Sequence, residues 1–104
     1  MFALVVRFDL HDEARAAEFD RLVEETGRGI AEHEPGTLVY ATHHVTDAPL
    51  ARVFYEVYRD REAFDEHERQ PHTRQFLTER HKYVKSTRVE FITPATTKGL
   101  PADG

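Results

Sequence analysis

The apolar residues of this chain change their spacing from one stretch to the next, and the order of those changes leaves few folds open. From Phe2 to Leu10, the residues Phe2, Leu4, Val6 and Phe8 alternate with Ala3, Val5, Arg7 and Asp9. That is the period of a strand with one strongly apolar face. From Glu13 to His33 the inward positions, Phe19, Leu22, Val23, Thr26 and Ile30, recur at helical spacing. Asp12 is placed to cap this helix and Glu13 suits its positive start, while Gly27 and Gly29 weaken its last turns. Glu34-Pro35-Gly36 spells a turn. Thr37 to Val45 and Arg52 to Tyr58 are two further strands, joined into a hairpin by a loop over Thr46-Asp47-Ala48-Pro49. A helix follows from Arg61 to about Arg69. Pro71 interrupts it, because proline costs ~3 kcal/mol in a helix interior, and is well placed to start a second segment from His72 to Tyr83. Lys85 to Thr93 is the last strand, and Pro94 ends it.

The order is β-α-β-β-α-β, a split βαβ motif. It predicts an α+β, ferredoxin-like domain with an antiparallel sheet over residues 1–94, and a flexible C-terminal tail over 95–104. With 104 residues there is room for little else. A chain of this size buries only ~60–70% of its unfolded surface, so a partner subunit would help its core. Two helices cover one face of a sheet. The face assigned to them holds Leu4, Val6, Phe8, Leu38, Tyr40, Val53, Tyr55, Val57, Val89 and Phe91. The other face then holds Val5, Val39, Phe54, Tyr58 and Ile92, mixed with Arg7, Glu56, Arg88 and Glu90. It is too apolar for open water, and its charges want partners. A second sheet is expected to cover it, giving a homodimer, with Arg7 and Glu56 as a charge pair at the interface.

Composition excludes several function classes. The net charge is −5 and the cations are spread along the chain, which argues against nucleic acid as a partner. There is no cysteine, so disulfides, thiolate catalysis and sulfur-ligated metals are removed together; a reducing cytoplasmic location is compatible. Met1 to Arg7 reads as a strand and not as a signal peptide, and no stretch is long enough to cross a membrane.

Two stretches narrow the reading further. One is Glu34-Pro35-Gly36-Thr37-Leu38-Val39-Tyr40. The other runs from Phe54-Tyr55-Glu56-Val57-Tyr58-Arg59-Asp60 through Ala63-Phe64, His67 and Gln70-Pro71-His72 to Phe76. An EPG turn opening strand two, E-x-[WY] on strand three, a D-x-x-A-[FL] helix start and then H and P-H resemble the layout of the antibiotic biosynthesis monooxygenase family of dimeric α/β barrels. The similarity covers roughly residues 2 to 94 and is nearest to the quinol-monooxygenase and signal-processing branch. It implies a homodimer with a pocket between sheet and helices in each subunit. Some members oxygenate polyphenols or anthrone-type substrates with no metal or flavin; others isomerise a phosphosugar-like signal or degrade haem. Membership alone does not decide among these reactions. The haem-degrading branch uses an Asn, a Trp and a ligand His. Val6, His67 and Leu77 stand at those positions, and the chain contains neither Trp nor Asn. Haem degradation is therefore not expected, and no cofactor is.

The residues that could carry chemistry are His67 and His72. Oxygenation of a phenol without a cofactor starts with proton removal, since the phenolate gives up an electron to O₂ far more readily. An imidazole with a pKa of about 6.5 suits that task. Each histidine also has a plain structural alternative, His67 as a half-buried packing residue and His72 as a helix-start residue. Tyr40, Tyr55 and Phe64 are candidates to stack a planar substrate. Val6 and His44 join them, His44 because it shares a face with Tyr40. Phe76 and Tyr83 fit the same wall but read more simply as core. His43 and His44 are neighbours on a strand and point to opposite faces, so they cannot share a metal; with His81 they offer no ligand spacing, and no metal is expected. The leading function is a cofactor-independent monooxygenase that oxidises a small electron-rich aromatic or quinol with O₂. A non-catalytic small-molecule-binding or stress-associated dimer, or an isomerase of the same fold, is the alternative.

Overall fold

In a computed structural model describing residues 1–101, four strands form one sheet in the order β2-β3-β1-β4, every neighbouring pair antiparallel. The elements along the chain are β1 (Phe2–Leu10), α1 (Glu13–His33), β2 (Thr37–Val45), β3 (Ala48–Tyr58), α2 (Arg61–Arg69), α3 (Pro71–Glu79), a short 3₁₀ turn (Arg80–Lys82) and β4 (Val84–Ile92). This is the ferredoxin-like α+β order expected from the periods. The expected tail over 95–104 is irregular backbone as far as residue 101; residues 102–104 lie outside the described part. No helix among the described residues is long and apolar enough to cross a membrane.

The element boundaries follow from local chemistry. Asp12 caps α1 by accepting from the Arg15 amide at 2.9 Å, and Asp60 caps α2 by accepting from the Ala63 amide at 2.8 Å. Gln70 is extended, as a residue before proline prefers, so it closes α2 and opens α3, with Pro71 in the first turn of the new helix. The hairpin is tighter than expected: β3 begins at Ala48, leaving only Thr46-Asp47 as the turn. Pro49 and Leu50 occupy an irregular step between the pairs Val45–Ala48 and His44–Arg52, where a missing amide proton breaks no ladder bond.

The phase of β3 differs from the expected one. Leu4 pairs with Glu56, Val6 with Phe54, and Phe8 with Arg52, while Tyr40 of β2 also pairs with Glu56. Paired residues share a face, so Arg52, Phe54, Glu56 and Tyr58 lie under the helices, and Val53, Tyr55 and Val57 lie on the outward side. Both faces of this strand are apolar, and alternation alone cannot choose between them. Glu56, expected on the outward face with Phe54 and Tyr58, is instead buried with them under the helices. Its burial is tolerated because the Tyr58 hydroxyl donates to its Oε1 at 2.5 Å. Phe54 supplies the larger gain: its ring lies 5.0 Å from that of Phe8 and 6.1 Å from those of Phe19 and Phe76. Glu56 therefore cannot meet Arg7 at an interface; Arg7 instead pairs with Asp9 on its own strand, at 3.2 Å. Arg52, buried under α1, is held by a fork of bonds to Asp20 at 2.8 and 3.0 Å.

Candidate functional site

The site begins where α1 ends. Glu34 closes that helix, its amide bonded to the Ile30 carbonyl. The turn of Pro35-Gly36 then sends the chain back into β2. A Cβ at Gly36 would lie 2.7 Å from the Cβ of Ala63, so only glycine lets α2 press against the turn. The result is a buried Glu34 carboxylate facing the last turn of α2 and the first turn of α3. Its Oε1 accepts from Thr37 Oγ1 at 2.7 Å and from His67 Nδ1 at 2.8 Å, and its Oε2 from His72 Nε2. The His72 ring occupies the space that a side chain at Gly29 would need.

Beyond His67 lies a cavity of about 240 Å³ between the sheet and the two short helices. Its walls are mostly apolar: Leu4, Val6, Phe8, Phe54, Phe64 and Phe76, with Leu77, Val89 and Phe91 toward the outside. Its polar groups are Tyr40, Glu56, His67, Thr73, Thr26, Glu68 and Arg80. His67 is 7% exposed. With Nδ1 committed to Glu34, it presents Nε2 toward the cavity, 3.9 Å from Glu56 Oε1.

The electrostatics give the two carboxylates different roles. Burial opposes ionisation of Glu34, but the hydrogen bonds from His67, Thr37 and His72 outweigh it and hold its carboxyl at about 2. Glu56 goes the other way: burial raises it, against the opposing bond from Tyr58 and the nearby His67. Burial, and then the charge of Glu56, pushes the Tyr40 and Tyr58 hydroxyls up and keeps both neutral. An ionised Glu34 can only accept, so His67 Nδ1 carries a proton, and in the uncharged form of the ring that is the one proton it has. Nε2 then carries the lone pair, on the side of the ring that meets Glu56 and the chamber lining. A buried aromatic chamber with one oriented imidazole lone pair can take a proton from a bound acid and exclude water from the anion that results.

One consequence is measurable through stability. Glu34 has a folded pKa of about 2 against an ordinary 4.5. Its contribution is complete above pH 4.5 and is lost as the pH falls toward 2. Between pH 6 and pH 3, wild-type urea midpoints should fall by an amount worth up to about 2 kcal/mol more than those of Glu34→Gln, which has no such group to titrate. Parallel acid limbs for the two proteins would contradict the pairing.

The structure brings together only part of the candidate set. His67, Tyr40, Phe64 and Val6 all line the cavity. Val6, His67 and Leu77, the positions compared with the haem branch, line it too. His72 does not: it lies behind Glu34, stacked at 6.4 Å on His33. Tyr55 is on the outward face, a direct result of the β3 phase. His44 is on the helix face but at its far end, exposed and 3.9 Å from Asp20. His43 meets the Val53 carbonyl and His81 that of Thr78. Among the described residues, no group of three or more histidines and carboxylates could hold a metal ion. Glu34 and Glu56 were missed, one read as a turn residue and the other as an interface charge. Glu34 carried a usable signal. A carboxylate at a helix C-terminus opposes the helix dipole, so it needs donors close by, and His67 and His72 are those donors.

An antiparallel sheet with its helices on one face, enclosing an apolar chamber and a carboxylate-held histidine, defines a small ligand-pocket domain of the ferredoxin-like type. The family model described as Antibiotic biosynthesis monooxygenase matches residues 1–79, and the chain belongs to that family. No curated protein matches it. Solved structures with the same fold include an inferred antibiotic biosynthesis monooxygenase from Bacteroides thetaiotaomicron, with TM-score 0.86 and 23% identity over 97% of this chain and 94% of that one. A variant of SnoaB, a cofactor-independent oxygenase from Streptomyces nogalater, has TM-score 0.80 and 22% identity over 94% and 96%. An inferred monooxygenase from Lactobacillus acidophilus has TM-score 0.83 and 27% identity over 88% of this chain and 43% of that one.

Proposed function

We propose that the protein is a cofactor-independent monooxygenase of a small electron-rich phenol or quinol, with His67 as its base. The observation that carries this reading is the His67 imidazole, fixed through Nδ1 by Glu34 at 2.8 Å and open through Nε2 to an aromatic-walled chamber. SnoaB, which shares the fold, is described as a cofactor-independent oxygenase. The chemistry balances without a cofactor. His67 takes the phenolic proton, and the phenolate passes one electron to O₂. The phenoxyl radical and superoxide combine at a ring carbon that bears hydrogen, and the peroxide takes its proton back from His67. Loss of that ring proton with cleavage of the O–O bond leaves a carbonyl and releases water. One phenol and one O₂ thus give one quinone and one H₂O. The dry walls of Phe8, Phe54, Phe64 and Phe76 shield the radical pair.

The same reading includes a homodimer formed through the outward sheet face, where Val5, Val53 and Tyr55 are half-buried in the single chain. The test is O₂ uptake by chelator-treated protein across a panel of dihydroxynaphthalenes, with ¹⁸O₂ as the oxidant. The expected result is one O₂ consumed per product and one ¹⁸O in that product. Uptake no faster than the protein-free blank across the panel would leave a binding protein with the same chamber in place of an enzyme.

A further inference from the structure

We propose that the ligand carries a single carboxylate, which Arg80 holds at the mouth of the chamber. This rests on the substrate reading above and adds to it. Among the described residues the guanidiniums of Arg80 and of the exposed Arg21 and Arg74 make no hydrogen bond and no ion pair, whereas Arg52 sits on Asp20, Arg61 on Asp65, Arg69 on Glu66 and Arg88 on Glu90. Of the three unpaired arginines, Arg80 alone lines the chamber, in the 3₁₀ turn that follows α3. Its neighbour Glu79 cannot serve it, because that carboxylate is taken by Gln75 and Lys82. An unpaired guanidinium beside an apolar wall lacks only a planar acceptor, and a carboxylate matches its fork of donors.

Charge and size narrow the class. Glu68 lies on the same wall, with no ion pair to Arg80. One cation beside one anion suits a monoanion and disfavours a doubly charged phosphate. The interior already holds the carboxyls of Glu34 and Glu56, so an anionic substituent belongs at the mouth and the acidic hydroxyl at His67. The chamber, at about 240 Å³, falls below the ~300–1,000 Å³ typical of drug-sized ligands. It takes one or two fused rings. The class is a hydroxylated mono- or bicyclic aromatic acid, with hydroxyl and carboxylate at opposite ends.

Binding tests this without turnover. Under nitrogen, 6-hydroxy-2-naphthoate and 2-naphthol, which differ only in the carboxylate, are titrated by their own fluorescence. Wild type should bind the acid about 10-fold more tightly than the naphthol. Arg80→Gln should erase that preference while leaving 2-naphthol unchanged, and Arg80→Lys should retain part of it. Rising salt should shrink the preference. Thermal melts of both variants should match wild type, since Arg80 has no partner to lose. Equal affinity of wild type for the two probes, or an equal loss for both in Arg80→Gln, would overturn the proposal. A carboxylate preference without O₂ uptake would support Arg80 and sink the monooxygenase; O₂ uptake without the preference would do the reverse.

Discussion

Phe54→Asp should leave no cooperative unfolding transition at 25 °C, while Val53→Asp, one residue earlier, should fold. Phe54 is 2% exposed and sits among Phe8, Phe19, Phe76 and Tyr40. Truncating a buried phenylalanine costs ~3–5 kcal/mol, and an unpaired buried carboxylate adds several kcal/mol more. A domain of this size has only about 5–15 kcal/mol to lose. Val53 faces outward, paired across the sheet with Arg7 and His43. An aspartate there meets water in the single chain and an opposing sheet in the proposed dimer. Light scattering should therefore give about twice the 12.1 kDa chain mass for wild type and close to the single-chain mass for Val53→Asp. A folded Phe54→Asp beside an unfolded Val53→Asp would mean that β3 has the opposite phase. A folded, dimeric Val53→Asp would move the interface elsewhere.

His67→Gln should lower kcat/KM at neutral pH by roughly 10²–10⁴-fold, the range for removing a general base. The loss should fall mainly on kcat, because the aromatic walls that bind the ring are untouched. At a pH where the substrate is already an anion, much of the rate should return. Glu34→Gln should produce a smaller loss at neutral pH, because a neutral amide no longer enforces the Nδ1–H form of His67. His72→Ala should cost less still: its ring meets the far oxygen of Glu34 and does not reach the chamber. Rates measured for the three variants across pH give the order. A His72→Ala defect as large as that of His67→Gln would make the two histidines equal partners and would contradict the geometry.

The element order was legible because its signals are long and mutually consistent. Asp12 and Asp60 mark helix starts, Pro71 marks the break between α2 and α3, and β1 alternates cleanly over its whole length. The phase of β3 was not legible. Phe54 and Tyr58 compete with Val53, Tyr55 and Val57 for the inward face, and only pairing with β1 decides between them. Half of the site was hidden for a related reason. His67 and Tyr40 could be placed on inward stripes from local spacing. Glu34 could not be joined to its partners in the same way, because His67 and His72 lie 33 and 38 residues further along the chain. A turn signature explained Glu34-Pro35-Gly36 well enough to conceal that its acid is the pivot of the site. His72, which stood beside His67 as a candidate base, belongs instead to the support of that acid.

The most direct measurement removes O₂ and watches the proton. In an anaerobic stopped-flow cell at neutral pH, the protein is mixed with a nitrophenol, still partly neutral in solution and close enough in acidity to an imidazole to pass it a proton, whose anion has its own absorption band. Wild type should develop the anion band as the ligand binds, because His67 Nε2 takes the proton before any oxidant is present. His67→Ala should bind the same ligand and leave it neutral. An anion band of equal size in both proteins, or none in a wild type that turns over once O₂ is admitted, would contradict the assignment of His67 as the base.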